Sequence, residues 1–230
     1  DWSSEVCSSD LKDTNMKNVE PFWMTLQSFR DDTFIVQILI IIAYLCILFL
    51  ITKQEGSRTD VIIKIILSSI FIFNSIVCFL IYFNELPMAK FFAGPLYLAI
   101  GYLFLVDIMA KRIHFTFNIS PLRRFLAFTF IILTFLFPVF GMFSGHGMIA
   151  LPGVPCPLAI FTLALLSAAI PRVDNIIVFM LLAWVLVNIP KIFGYVGCYE
   201  EIILILAGAY VLGLNRIMPE ESTGDEHAST

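Results

Sequence analysis

TFIVQILIIIAYLCILFLIT, residues Thr33–Thr52, runs for twenty positions without one charged side chain. As a helix it would extend ~30 Å, the thickness of a bilayer core, and a helix satisfies all of its own backbone polar groups where water is absent. Six further apolar segments follow: Val61–Phe83, Phe91–Ala110, Phe125–Phe143, Pro157–Ile170, Asn175–Tyr195 with a kink expected at Pro190, and Tyr199–Ile217. The expected fold is therefore an all-α membrane protein, a bundle of about seven transmembrane helices. It occupies residues 16–218, with a leader over 1–15 and a disordered cytoplasmic tail over 219–230.

Composition agrees. The chain is 59% hydrophobic and 14% charged, with a mean hydropathy of +0.91, well away from the half-apolar, quarter-charged balance of soluble domains. The net charge of −4 carries little information, because seven of the eighteen acidic residues precede Phe34 and four fall in the last twelve residues. Lys and Arg are more telling. One side of the proposed bundle holds nine of them (Lys53, Arg58, Lys64, Lys111, Arg112, Arg123, Arg124, Arg172 and Arg216) and the other five (Lys12, Lys17, Arg30, Lys90 and Lys191). The positive-inside rule then puts the N-terminus out and the C-terminus in, as an odd number of spans requires. Asn118-Ile119-Ser120 fits a glycosylation acceptor but falls in a loop on the cytoplasmic side, where it would not be modified.

Residues 1–11, DWSSEVCSSDL, resemble a common sequencing adapter translated in one frame, with Glu5 where the adapter would give aspartate. The expectation is a non-native or disordered leader, with Met16 as the start and Cys7 without significance. Between Glu20 and Arg30, Phe22, Leu26 and Phe29 share a helical face beside Trp23, the pattern of a short interfacial helix.

The candidate site lies on the outer side. Pro155-Cys156-Pro157 opens a segment of only fourteen apolar residues, ~21 Å as a helix, so the preceding GHGMIALPGVP is expected to fold back into the outer leaflet against protein or water. With Pro157 at the first helical position, Cys156 becomes the N-cap, where the helix dipole favours a thiolate or a bound anion. A proline–cysteine turn that merely starts a helix explains the same residues. An outer pocket would draw on Cys156, Lys191, Glu200, Glu85 and His146, and Cys156 with Cys198 offers a disulfide if that side is oxidising. Met142, His146, Met148 and Cys156 form a soft ligand set, but their spacing matches no metal motif, and neither metal nor cofactor is expected.

The charges within spans have plain explanations. Lys64 would snorkel to the interface, Asp107 would pair with Lys111 four residues on, and Lys191 would snorkel or pair at the surface. Asn74, with Ser68, Ser69 and Ser75, would hydrogen-bond to a neighbouring helix, while Ala164/Ala168 and Ala209/Gly213 are small-residue packing pairs. Cys46 and Cys78 read as small buried hydrophobes. Pro138 and Pro190 mark bends that suit gating or a static bundle equally.

PLYLAIGYLF (Pro95–Phe104), PCPLAIFTLALL (Pro155–Leu166) and the Phe22-Trp23 pair resemble segments of a bacterial family of small integral membrane proteins of unknown function. The likeness spans roughly Met16 to Leu214, and Pro-Cys-Pro with Thr162 downstream is its most specific part, which adds Thr162 to the candidate site. Leu158 and Ala159 depart from it, standing where hydroxyl residues are expected.

HExxH, GxSxG and P-loop motifs and paired intramembrane aspartates are absent, which argues against membrane hydrolases and ATP-driven pumps. The last span has no lysine for a retinal Schiff base. The leading expectation is a protein of a bacterial cytoplasmic membrane that passes a small solute or ion, with the lipid bilayer as its partner and no nucleic acid. A thiol–redox protein using Cys156 and Cys198, and a non-catalytic subunit or sensor, are the alternatives.

Overall fold

The structure, a computed structural model, describes residues 22–53, 56–143, 150–194 and 200–217, and among them it is entirely helical and irregular, without strands. A helix over residues 22–32 (α1) leads into α2 (Phe34–Lys53), α3 (Ser57–Phe73), α4 (Gly94–Ala110), α5 (Pro121–Phe143), α6 (Pro155–Ala169), α7 (Asn175–Gly194) and α8 (Glu201–Ile217). Helix α3 continues as a π-helix over Asn74–Tyr82, and α4 is preceded by another over Ala89–Ala93.

Four of these rods are long and apolar enough to cross a membrane: Phe34–Lys53, Ser57–Tyr82, Ala89–Ala110 and Pro121–Phe143. Helices α6 and α7 are shorter but similarly apolar. The bundle is apolar outside as well as inside. In α2, Gln37, Ile40, Tyr44, Ile47 and Ile51 face inward at helical spacing, yet the exposed face carries Ile35, Leu39, Ile42 and Phe49. Such faces would be a severe liability in water and are compatible with lipid.

Helix α6 is the hub. Every residue from Pro157 to Ala169 is buried, as expected of a helix that is apolar all round, and α5 and α8 pack against it. Helices α3 and α4 approach closely because the contact is small: Ser68 Oγ donates to Gly101 O at 2.7 Å and Ser75 Oγ to Gly94 O at 2.7 Å. A Cβ at Gly101 would sit 2.9 Å from Ile72 Cγ1 and 3.1 Å from Ser68 O. The small-residue contact in α8 is Gly208 against Val185, not the expected Ala209/Gly213 pair. Ala209 is exposed, and a Cβ at Gly213 would meet nothing within 4 Å. Cys46 is likewise exposed rather than buried, whereas Cys78 is buried.

One end of the bundle is closed by residues 111–118, which run extended with Ile113, Phe115 and Phe117 buried in alternation. Their backbone is held by carboxylates. Asp107 Oδ1 and Oδ2 accept from the amides of Arg112 (3.0 Å) and Ile113 (3.2 Å), and Asp60 accepts from Phe115 N (3.0 Å) while contacting His114 Nδ1 at 2.9 Å. Arg112 reaches Asp174 at 3.0 Å, and Arg123 donates to Ser167 O and Ile170 O, both at 2.8 Å, covering carbonyls left open at the end of α6.

Two sequence expectations fail here. Lys64 does not snorkel: its side chain is 2% exposed and its Nζ lies 2.7 Å from Asp107 Oδ2. Asp107 does not pair with Lys111. That residue turns out of the helix in a left-handed conformation (φ 53°), while a buried carboxylate needs both a cation and amide donors, which Lys64 and the 111–118 segment supply.

Removing one partner should therefore cost more than removing both. Asp107→Ala is expected to destabilise the protein by about 3–5 kcal/mol, read as a fall in the thermal unfolding midpoint in detergent, with Lys64→Met recovering part of the loss in the double variant. A midpoint unchanged in Asp107→Ala would count against this account of the closed end.

Candidate functional site

The opposite end is built around a break in regular structure. Residues 150–154 enter the bundle without helical hydrogen bonds of their own apart from a turn, Val154 N to Leu151 O at 3.1 Å, yet Ala150 and residues 152–154 are buried. Three helical elements supply the missing donors. Tyr44 OH of α2 donates to Pro152 O (3.3 Å), Asn74 Nδ2 at the start of the π-helix to Gly153 O (3.0 Å), and Tyr97 OH of α4 to Pro155 O (2.7 Å). Asn74 thus serves the irregular segment and its own helix, at Ile70 O (3.0 Å), rather than a neighbouring helix as expected. The switch to π-helical winding at Asn74 keeps this residue and Ser75 on contacts to different neighbours, Gly153 and Gly94.

Gly153 is where the segment passes closest to α2. A Cβ there would run into Gln37 Oε1 and Ile40 Cδ1. Gln37 is fully buried, donates weakly to Thr33 Oγ1 at 3.4 Å, and has no hydrogen-bond partner for Oε1 among the described residues.

Helix α6 starts at Pro155, with Val154 as its N-cap. Cys156 is therefore inside the first turn and is not the cap. Pro155, which has no amide hydrogen to leave unsatisfied, takes the first helical position expected for Pro157. Cys156 Sγ donates to Glu201 Oε1 at the start of α8 (3.1 Å) and lies 3.8 Å from Asn188 Oδ1 of α7. The thiol thus faces a carboxylate, where the sequence suggested a thiolate or a bound anion at the helix start.

Beside this contact lies a cavity of about 310 Å³. Phe22, Trp23 and Leu26 of α1 wall one side, Cys78, Phe79 and Phe83 a second, and Phe137 and Trp184 a third. Pro155, Cys156, Glu200 and Glu201 form its polar edge. Its lining residues Phe79 and Trp184 pack edge to face with each other and with the buried Tyr97, with centroids 5.1–5.5 Å apart. Helix α1 is held there by Phe22 on Phe83 (5.4 Å), Phe29 on Tyr82 (5.4 Å) and the Tyr82 hydroxyl on Asp32 Oδ2 (2.7 Å). The expected interfacial helix is thus also a wall of the cavity.

Of the residues singled out in the sequence, the structure brings Cys156 and Glu200 to this cavity. Thr162 does not reach it: its hydroxyl bonds Leu158 O within α6 at 2.8 Å. Glu85 is exposed and outside the lining. The side chain of Lys191 and all of His146 and Cys198 lie outside the described residues, and with them the proposed disulfide. Glu201, Asn188 and the aromatic walls were not selected from sequence. Glu201 was visible only as an acidic residue at a helix start, and nothing local marks an aromatic as cavity-lining rather than lipid-facing.

An all-helical bundle with lipid-compatible faces and one aromatic-walled cavity edged by carboxyls is the class these features define. The chain belongs to DUF6064, a family of unknown function, whose family model matches residues 19–227. No match was found among curated proteins or among solved structures.

The Gly153 contact is directly testable. Gly153→Ala should lower the unfolding midpoint in detergent by several degrees, and a second change, Gln37→Ala, should restore part of the loss by making room for the methyl group. No recovery in the double variant would show that Gln37 is not what excludes a side chain there.

Proposed function

We propose that this protein crosses a bacterial cytoplasmic membrane seven times, N-terminus outside, and binds a small, largely apolar solute in the cavity walled by α1, the π-helix and α7 as the recognition step of its passage. The cavity carries the reading. At about 310 Å³ it falls at the small end of ligand sites, and it is roughly twice the ~150 Å³ that admits a benzene ring. Aromatic walls with a few convergent polar groups are what such sites need.

Alternating helix directions are supported by the two ends of the bundle. His114 with Asp60, Arg112 with Asp174 and Arg123 with Ile170 O join three connections at one end, which also carries the basic excess. Tyr97 with Pro155 and Cys156 with Glu201 join connections at the other. The redox alternative has less support: Glu201 Oε1 lies 3.1 Å from Cys156 Sγ, and a neighbouring negative charge opposes thiolate formation.

Two measurements test the reading. In a variant whose native cysteines are replaced, a membrane-impermeant maleimide should label Glu85→Cys in intact cells and Arg172→Cys only after permeabilisation, and the opposite pattern would reverse the orientation. In detergent, water-soluble phenyl compounds should quench the fluorescence of the cavity tryptophans Trp23 and Trp184 saturably, and Ala93→Trp, which fills the lining, should abolish the effect. Quenching that persists undiminished in Ala93→Trp would place binding elsewhere.

A further inference from the structure

The solute class follows from how the polar edge of the cavity is charged. Glu200 and Glu201 are adjacent, both line the cavity, and they are 5% and 8% exposed. Burying a carboxylate is costly unless a cation or several donors accompany it. The closed end of the bundle obeys this rule, since Asp107 has Lys64 and two amides. At the cavity the balance is different. Among the described residues Glu201 Oε1 receives the weak Cys156 thiol donor, and Glu201 Oε2 is buried without a hydrogen-bond partner. Glu201 lines the cavity, whose other walls include Phe22, Trp23, Phe79, Phe83 and Trp184.

Carboxylate at one edge and aromatic faces around the rest is the surrounding that an organic cation seeks. Its charge is met by the carboxylate and by the electron-rich ring faces, while its hydrocarbon is desolvated against the same rings. Resting on the assignment of this cavity as a solute site, we infer that the solute is a lipophilic amine, bound as its ammonium ion, with its charge met by the Glu201 carboxylate and the hydrocarbon part lying between Trp23, Phe79 and Trp184. An anion is disfavoured by the same groups. A neutral solute could donate a hydrogen bond to Glu201 but would bring no charge to meet the buried carboxylate.

The test compares three molecules of similar size on the full-length protein in detergent: phenethylammonium, 2-phenylethanol and phenylacetate, titrated by tryptophan quenching and by calorimetry. Phenethylammonium is expected to bind at least ten-fold more tightly than 2-phenylethanol, and phenylacetate more weakly than either. Glu201→Gln keeps an acceptor for the Cys156 thiol and removes the charge, so it should bring phenethylammonium to the level of 2-phenylethanol. Unchanged binding of 2-phenylethanol shows that the variant is folded with its cavity intact. Lys191→Gln should leave the preference for the ammonium in place or increase it. Equal binding of the three molecules, a preference for phenylacetate, or an ammonium preference untouched by Glu201→Gln would overturn the inference while leaving the cavity a solute site. Failure of all three to bind would overturn both.

Discussion

The fold depends on placing five residues of irregular backbone inside an apolar bundle. The buried carbonyls of Pro152 and Gly153 lie outside any helix and Pro155 O stands at the first residue of α6, and a buried carbonyl left unsatisfied would cost on the order of 1–3 kcal/mol. Tyr44, Asn74 and Tyr97 answer them from three different elements. Much of the local architecture follows from this. Gly153 must lack a side chain so that α2 can come close enough for Tyr44 to reach, and the π-helical turn at Asn74 lets one residue serve both its own helix and the inserted segment. Helix α6 can then be short, because the segment before it occupies the depth that a longer helix would have filled.

The two ends of the bundle treat buried charge in opposite ways. At the closed end, Asp60 and Asp107 are each given several partners, and their carboxylates act as fixed acceptors that pin the 111–118 segment across the helix ends. The result is a rigid plate in which a lysine buried to 2% exposure is tolerable. At the cavity end, Glu201 keeps one oxygen without a partner among the described residues, and the space beside it is not filled by side chains. A protein that can build the first arrangement and retains the second has left an interaction to be completed.

The helices were legible in the sequence because long uncharged apolar runs, of the length and composition compatible with a membrane span, stand out between polar connections. All seven apolar segments correspond to α2–α8, with boundaries moved by a few residues, and α1 was visible from Phe22, Leu26 and Phe29. What sequence could not reveal were pairings across the bundle. Lys64 and Asp107 are 43 residues apart, and local rules offered each a nearer and cheaper explanation. Cys156, singled out for its place at a helix start, meets a partner that its local sequence does not show. Its helix position predicted an activated sulfur, whereas the nearest charge is a carboxylate contributed by α8. The aromatic walls were illegible because in an apolar chain Phe and Trp occur on the exposed surface, in the core and at the cavity alike, and only the tertiary fold distinguishes them.

Passage of a solute beyond the cavity would have to contend with the same inserted segment. It lies beneath the polar edge, and opening a way past it exchanges the bonds from Tyr44, Asn74 and Tyr97 for water or for the solute. At about 0.5–1.5 kcal/mol net for each, the three together amount to roughly 2–5 kcal/mol. That is enough to keep the closed arrangement dominant without a ligand, and small enough for differential binding of a ligand to overcome. An ammonium group bound at Glu201 sits one residue's contact from this latch, since Cys156 joins Glu201 to the start of α6 and Pro155 accepts the Tyr97 bond. Neutralising Glu201 would weaken its hold on the Cys156 thiol and so act on the first turn of α6, the place where the inserted segment is anchored. On the proposed reading, the charge of a bound solute would act on the inserted segment through Glu201 and Cys156.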